Sequence, residues 1–169
     1  MALTASPYGM RPIGGTGQSP FGANSPRQYR LTANNDVAIY TFAPVVIVAG
    51  AINGCDTAPA AGTLDAQSPL GVCVGVQYTD PTLKYTINGT TVPVDCITAG
   101  YTNVLISVID DPFALFMMQA TGQVAQSKIG LNITMATFGA NTITGYSTMS
   151  ASGAATTNTL PLRIVDLVN

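Results

Sequence analysis

Few side chains in this chain could carry out chemistry. The ionisable groups are eight aspartates, six lysines or arginines, seven tyrosines and three cysteines, while histidine, glutamate and tryptophan are absent. A serine or cysteine nucleophile normally needs a nearby base such as histidine. The composition therefore predicts a protein that is not an enzyme.

The aspartates at positions 80, 110 and 111 are the strongest candidates for a carboxylate site. Asp110 and Asp111 are adjacent, but a calcium site needs about six to eight oxygen ligands from a dedicated loop. A glycosidase pair would need a sugar-binding groove of aromatic rings. Asp80 and Asp111 each precede a proline, a pattern typical of turns. We predict turns at these positions, with no metal site and no cofactor.

The three cysteines are also expected to be structural. Cys55, Cys73 and Cys96 lack the close spacing of a zinc motif, and no histidine could complete such a site. Cys73 lies in a strand-like pattern, which favours its role as a small buried apolar residue.

Charge is sparse and unevenly placed. Charged residues make up 8% of the chain, and the net charge is -2. Residues 1–35 carry Arg11, Arg27 and Arg30 and no acid, which gives +3, while the remainder has eight aspartates and three basic residues, which gives -5. A basic segment can bind an acidic partner, including a second copy. Three arginines are too few for a nucleic-acid-binding arm.

So few charges on a surface indicate faces that are covered by neighbours in an assembly. A stable extracellular β domain is the alternative. No apolar run reaches the length of a membrane span, and residues 1–10 lack the pattern of a signal peptide. We therefore expect neither a membrane partner nor export.

The N-terminal segment is rich in glycine and proline. These residues oppose both helices and central strands, so we predict an extended arm over residues 1–30 and a single β-rich body over residues 31–169. The arm would become ordered when its apolar side chains lie on a partner, and a disordered leader is the alternative. The embedded apolar side chains are Tyr8, Met10, Ile13 and Phe21.

The body is predicted to consist of short strands. Residues 70–78 alternate branched and small side chains with a period of two, which would place the branched ones on one face. Asn88-Gly89 predicts a hairpin with a tight turn within residues 85–92. The other strand candidates are residues 37–42, 45–49, 104–109, 114–119, 131–137, 141–146 and 160–167.

Helical signals are weak. Residues 123–129 could form one or two turns, and residues 147–159 form either a loop or an edge strand. Many short strands separated by turn residues predict an all-β fold, either a compact β-barrel or a β-sandwich of short antiparallel strands.

Four segments in this order and spacing resemble a known family. They are Pro-Tyr-Gly-Met-Arg-Pro at 7–12, the strand and turn at 69–81, Asp-Asp-Pro-Phe at 110–113, and Leu-Pro-Leu-Arg-Ile-Val at 160–165. The set resembles the small capsid decoration, or cement, proteins encoded by tailed phages of cyanobacteria and marine bacteria. The likeness runs across most of the chain.

The resemblance implies a β-rich virion protein on the outer surface of the capsid. Such proteins bind the assembled head as trimers and stabilise contacts between major capsid subunits, so the expected partners are the major capsid protein and the chain itself. We expect the capsid contacts to be Tyr8, Met10, Arg11, Pro12, Phe21, Arg27 and Arg30. We expect the core or the trimer interface to contain Tyr78, Phe113, Phe116 and Met118.

One segment departs from the family pattern. The family often has acidic residues just after the Asp-Asp-Pro strand, whereas residues 115–118 are Leu-Phe-Met-Met here. This apolar stretch is expected to be buried between subunits of a trimer.

Two other functions stay open from the sequence. A carbohydrate-binding or adhesion module would use Tyr40, Tyr101 and Tyr146 to line a groove. A tail-tube or head-completion protein would polymerise through its sheet edges.

Overall fold

The computed structural model describes residues 6–15, 25–31, 35, 37–55, 69–136, 138–156 and 160–168. Within these ranges the chain is all-β, as predicted, and its only helical element is a 3-10 turn at Gln126–Lys128. The strands are β1 Arg11–Gly15, β2 Arg27–Arg30, β3 Ile39–Tyr40, β4 Pro44–Val48, β5 Ala51–Gly54, β6 Gly71–Thr79, β7 Thr86–Gly89, β8 Thr91–Val92, β9 Thr102–Ile109, β10 Ala114–Met117, β11 Asn132–Ala136, β12 Ala140–Asn141, β13 Tyr146–Ser147, β14 Ser150–Ala155 and β15 Leu162–Arg163.

The largest sheet is antiparallel and strongly curved. Its strand order is β2-β9-β6-β4-β5, and β7 pairs with β6 outside this path. Leu31, directly after β2, forms an isolated parallel bridge with Ile52 of β5, so the two ends of the sheet meet. A single bridge is not a strand pair, and the described residues form no closed barrel. The sheet surrounds a first core cluster that contains Leu31, Ile39, Val45, Ile52, Cys73, Val76, Val92, Cys96, Val104, Ile106 and Val108.

Strand β6 confirms the strand predicted at residues 70–78, but its side chains do not keep to one alternation. The register of β6 with β9 shifts between Cys73 and Gly75, which marks a β-bulge. Val72 packs into a second core cluster, whereas Cys73 and Val76 belong to the first. The bulge re-aims the side chains that follow it. The prediction that the branched residues share one face is therefore wrong, and β6 supplies both clusters.

The second core cluster lies beneath a two-stranded ribbon formed by β1 and β10. Side chains from β10 and the residue after it pack against this cluster, and β11 also contributes to it. The register of the ribbon shifts between Pro12 and Gly14, which leaves Ile13 at an irregular position. The buried members are Met10, Val46, Cys55, Val72, Met135 and Met149. Smaller sheets join β14-β11-β15, β12-β13 and β3-β8.

The described part of the predicted arm pairs with the body. Strand β1 pairs along β10, and strand β2 pairs along β9 from Arg27 opposite Val108 to Arg30 opposite Leu105. Backbone hydrogen bonds therefore fix both segments without a partner protein. The boundary at residue 30 stays a prediction, and Phe21 lies outside the described residues.

The hairpin predicted at Asn88-Gly89 is wrong, because both residues lie in strand β7. The connection between β6 and β7 is the turn after Asp80, whose carboxylate accepts hydrogen bonds from the N–H groups of Thr82 and Leu83 at 2.7 and 2.8 Å. This confirms the turn predicted at Asp80. Gly89 pairs with Val76 of β6, and a β-carbon there would lie at an ordinary contact distance of 3.6 Å from the ring of Tyr78, so this position does not require glycine.

Several weaker predictions are refined. Residues 141–146 form the turn between β12 and β13, and residues 160–167 contain only the short strand β15. The predicted helical turn at residues 123–129 is reduced to the 3-10 turn. Residues 147–159 contain β14, which pairs along β11 and lies at the edge of its sheet.

The two-core arrangement can be tested at Gly71, where β6 meets β9. A β-carbon at Gly71 would collide with the backbone oxygen of Ile109 and lie 2.9 Å from Val108 Cγ1. We expect Gly71→Ala to lower the free energy of unfolding by about 1–3 kcal/mol, the usual cost of overpacking. Urea unfolding followed by circular dichroism would measure this loss.

Gly75→Ala is the matched control on the same strand, because a β-carbon at Gly75 would have no neighbour within 4 Å. It should change stability by no more than about 0.5 kcal/mol. Equal effects of the two substitutions would contradict the close contact between β6 and β9.

Candidate functional site

The carboxylate of Asp110 forms hydrogen bonds with two side chains of strand β2. The Asp110 side chain is only 9% exposed, and it accepts hydrogen bonds from Arg27 Nη1 at 3.2 Å and from the Tyr29 hydroxyl at 2.5 Å. The bond to Asp110 raises the pKa of Tyr29, because ionisation of the phenol would remove its donated proton. The three side chains fasten β2 to the end of β9, so Asp110 has a structural role.

Asp111 forms the turn predicted for it. Its carboxylate accepts a hydrogen bond from the N–H of Phe113 at 2.7 Å. No group of three metal-binding side chains occurs in the described parts of the chain. Those parts also include no helix that is long and apolar enough to span a membrane.

The three cysteines are buried, and none of them forms a disulfide bond. Cys73 lies on β6 inside the first core cluster, which confirms its predicted burial. Burial raises the pKa of the Cys73 thiol to about 12 and that of the Cys96 thiol to about 11, because the thiolate loses its hydration. Such thiols are poor nucleophiles at neutral pH.

These thiols give a direct test of the core. At neutral or mildly alkaline pH the folded protein should react very slowly with a thiol-specific reagent such as Ellman's reagent, whereas all three cysteines should react after unfolding in guanidinium. Because the native pKa values of Cys73 and Cys96 are raised above 9.0, stability should fall as the pH rises from 9.0 towards the native values. Rapid labelling of the native protein would contradict this burial.

The most distinctive surface feature combines an arginine with three aromatic rings. The guanidinium carbon of Arg11 lies 5.1 Å from the ring centroid of Tyr8 and 5.5 Å from that of Phe42. The Phe42 ring stacks on Tyr146 with centroids 5.5 Å apart and an interplanar angle of 14°. Cation–π contacts and ring stacking of this kind fix the positions of side chains. We call Tyr8, Arg11, Phe42 and Tyr146 the arginine platform.

An unusual backbone conformation holds the centre of the platform. Phe42 has a φ of 68°, in the left-handed region that aromatic residues rarely adopt. Its N–H donates to the Cys73 carbonyl at 2.7 Å, and its carbonyl accepts the N–H of Met10 at 2.9 Å. Gly9 permits this approach, because a β-carbon there would lie 2.6 Å from the Phe42 carbonyl oxygen. Such outliers persist where surrounding bonds impose them, and they are frequent at functional sites.

The turn between β12 and β13 positions the last ring. The N–H of Thr41 donates to the Gly145 carbonyl at 3.1 Å, and the N–H of Ser147 donates to the Thr41 carbonyl at 2.9 Å. Gly145 has a φ of 72° and packs directly against Thr90, which leaves no space for a side chain. These contacts place Tyr146 beside Phe42. Three segments that are distant in the sequence therefore build one surface.

Exposed apolar side chains also occur on the ribbon of β1 and β10. Ile13 is 59% exposed and Phe113 is 66% exposed, while Arg11 is exposed on the same strand as Ile13. We call Arg11, Ile13 and Phe113 the ribbon face. Arginine and aromatic residues are enriched in the energetic centres of protein interfaces. The platform and the ribbon face together resemble such a surface.

Arg11 has no carboxylate partner in the described residues, where the single ion pair joins Arg27 to Asp110. Four of the five aspartates that the structure describes accept hydrogen bonds from their own chain. Within the described residues, no carboxylate therefore balances the charge of Arg11.

The residues predicted to contact a capsid do not form one set. Tyr8 and Arg11 belong to the platform, but Met10 is 3% exposed and packs in the second core cluster. Met10 is therefore a core residue, and its prediction as a surface contact is wrong for this conformation. Pro12 is half-buried opposite Phe116.

Of the remaining predicted contacts, the two that the structure describes are Arg27 and Arg30. Both lie on β2, at an edge of the large sheet. Arg27 is exposed but is engaged by Asp110. Arg30 lines a shallow cleft of about 390 Å³ together with side chains of the loop before β9 and of β9 itself. Arg27 and Arg30 of β2 therefore have different surroundings from Arg11.

The residues predicted for the core or a trimer interface divide in the same way. Tyr78 is half-buried and meets the Tyr101 ring edge-on, with centroids 5.3 Å apart and an interplanar angle of 85°. Phe116 and Met118 are half-buried against the second core cluster of their own chain. Phe113 is exposed and remains available to a partner.

Sequence reasoning missed Phe42 as a site residue. It lies at the end of the strand candidate 37–42, and only its positive φ distinguishes it, which no local sequence signal shows. In the described residues, ring contacts join Tyr146 to Phe42 and Tyr101 to Tyr78. They do not join Tyr101 or Tyr146 to Tyr40 in the groove considered above.

Comparison with known proteins adds no relative. No protein-family model matches the chain, and no curated protein or solved structure matches it significantly. The function must therefore be argued from the surface and its chemistry.

Proposed function

We propose that this protein is a structural component of a phage particle that decorates the outer surface of the head. It binds the major capsid protein and stabilises contacts between capsid subunits. The observation that carries the proposal is the arginine platform, together with Ile13, exposed on the strand of Arg11, and Phe113, exposed directly before β10. The family resemblance of the sequence supports the same function.

The chemistry of the chain favours adhesion over turnover. It has no histidine or glutamate. Its best-placed carboxylate is held by Arg27 and Tyr29, and its thiols are buried. The exposed side chains that remain are suited to form contacts with another protein.

The ribbon face can supply substantial binding energy. Full burial of a side chain such as Ile13 or Phe113 contributes about 1.5–3 kcal/mol. Strand pairing between β1 and β10 already orders both strands, so binding does not have to order a free arm. This changes the mechanism expected from the sequence, because β1 acts as part of a preformed surface.

Trimer formation is part of the proposal. Three copies bound to neighbouring capsid subunits would convert several weak contacts into one persistent attachment. Phe113 is the predicted interface residue that is exposed on the single chain, whereas Phe116 and Met118 already pack on their own core. The solution mass from light scattering should correspond to three chains, and a monomer would contradict trimer formation alone.

Binding to heads tests the main proposal. Purified particles of the encoding phage should contain the chain, and recombinant protein should bind heads that lack it. Ile13→Ser should weaken binding by at least about tenfold, which corresponds to about 1.4 kcal/mol. Co-sedimentation at increasing protein concentration would measure the affinity.

Leu83→Ser is the matched control, because Leu83 is an exposed apolar residue in the turn between β6 and β7. Its affinity should equal that of the unchanged protein. Absence of the chain from particles, or failure of the unchanged protein to bind heads, would refute the proposal. Binding to a glycan array in place of heads would favour the adhesion module.

A further inference from the structure

We propose that Arg11 recognises a carboxylate of an acidic side chain on the partner protein, through the N–H groups of its guanidinium. This inference rests on the proposed function and names the chemistry of the contact. The platform fixes the position of the Arg11 guanidinium. This guanidinium lies over the faces of two aromatic rings, and a ring face offers no oxygen acceptor to the N–H groups.

The N–H donors of Arg11 therefore remain to be satisfied by water or by a bound molecule. A guanidinium presents five N–H donors in a planar fork that matches the two oxygens of a carboxylate. Charge-assisted pairs of this kind are shorter and stronger than neutral hydrogen bonds. The rings hold the fork in place, which lowers the cost of ordering a long side chain on binding.

The composition of the surface favours a carboxylate over a polyanion. Arg11 is the only basic residue of the platform and the ribbon face, and the neighbouring groups are aromatic or aliphatic. A nucleic acid or a phosphorylated surface would require several clustered cations. A single fixed guanidinium among apolar groups suits one acidic side chain at the centre of a protein interface.

The same reasoning selects another protein over a second copy of this chain. The carboxylates of Asp80, Asp110, Asp111 and Asp166 accept hydrogen bonds from their own chain. These bonds reduce the capacity of each carboxylate for a bidentate arginine. Of the five described aspartates only Asp95 accepts no such bond, so we assign the acidic partner of Arg11 to the capsid and make a second copy an outcome of the test.

The test compares Arg11→Lys with the unchanged protein in binding to heads that lack the chain. Lysine keeps the positive charge and loses the planar fork, so we expect binding to weaken about tenfold to a hundredfold. Arg11→Gln, which also removes the charge, should weaken it at least as much. Arg163→Lys is the matched control, because Arg163 is exposed on β15 and belongs to no expected capsid contact, and its affinity should be unchanged.

The lysine variant also allows a direct search for the partner group. A carbodiimide activates a carboxylate, the new lysine amine attacks it, and an amide forms with release of the urea by-product. Mass spectrometry of Arg11→Lys bound to heads at high concentration should find this amide with an aspartate or glutamate of the major capsid protein. The Arg163→Lys control should give no such link.

The outcomes separate the two proposals. If the unchanged protein does not bind heads, the proposed function and this inference both fail. If it binds, and the ribbon-face variant is weakened while Arg11→Lys is not, only this inference fails. A link between Lys at position 11 and an aspartate of a second copy would also overturn it. Urea unfolding of each variant ensures that a loss of binding is not a loss of folding.

Discussion

The bulge in strand β6 is the constraint on which the rest of the structure depends. β6 pairs with β4, β7 and β9, so its register sets the positions of most of the large sheet. The shift between Cys73 and Gly75 sends Val72 to one core cluster and Val76 to the other. The carbonyl of Cys73 then receives the N–H of Phe42, which carries the platform. The irregularity inside the fold thus leads directly to the surface that we propose for binding.

The platform combines local strain with rigidity. The left-handed backbone of Phe42 is unfavourable by itself, and it persists because hydrogen bonds to Met10 and Cys73 oppose any relaxation. Met10 is also a core residue, so the surface cluster and the second core share one segment of chain. A surface anchored in this way can present an arginine and aromatic rings with little loss of entropy on contact.

The sequence predicted those features that depend on neighbouring residues. Alternation identified β6, the Asp-Pro pair identified the turn at Asp80, and the strand context of Cys73 indicated its burial. The bulge was not predictable, because Gly75 looks like any glycine in a strand. Asn88-Gly89 misled because both residues pair with β6 inside strand β7, and the turn lies at Asp80 instead. The platform was missed because it joins Arg11, Phe42 and Tyr146 across most of the chain.

The single bridge between Leu31 and Ile52 has a mechanical consequence. Neighbouring strands elsewhere in the large sheet share at least two paired positions. The junction between Leu31 and β5 is therefore the strand contact with the fewest paired positions in this sheet. The sheet can widen there by breaking one pairing while the ladders around β6 stay intact.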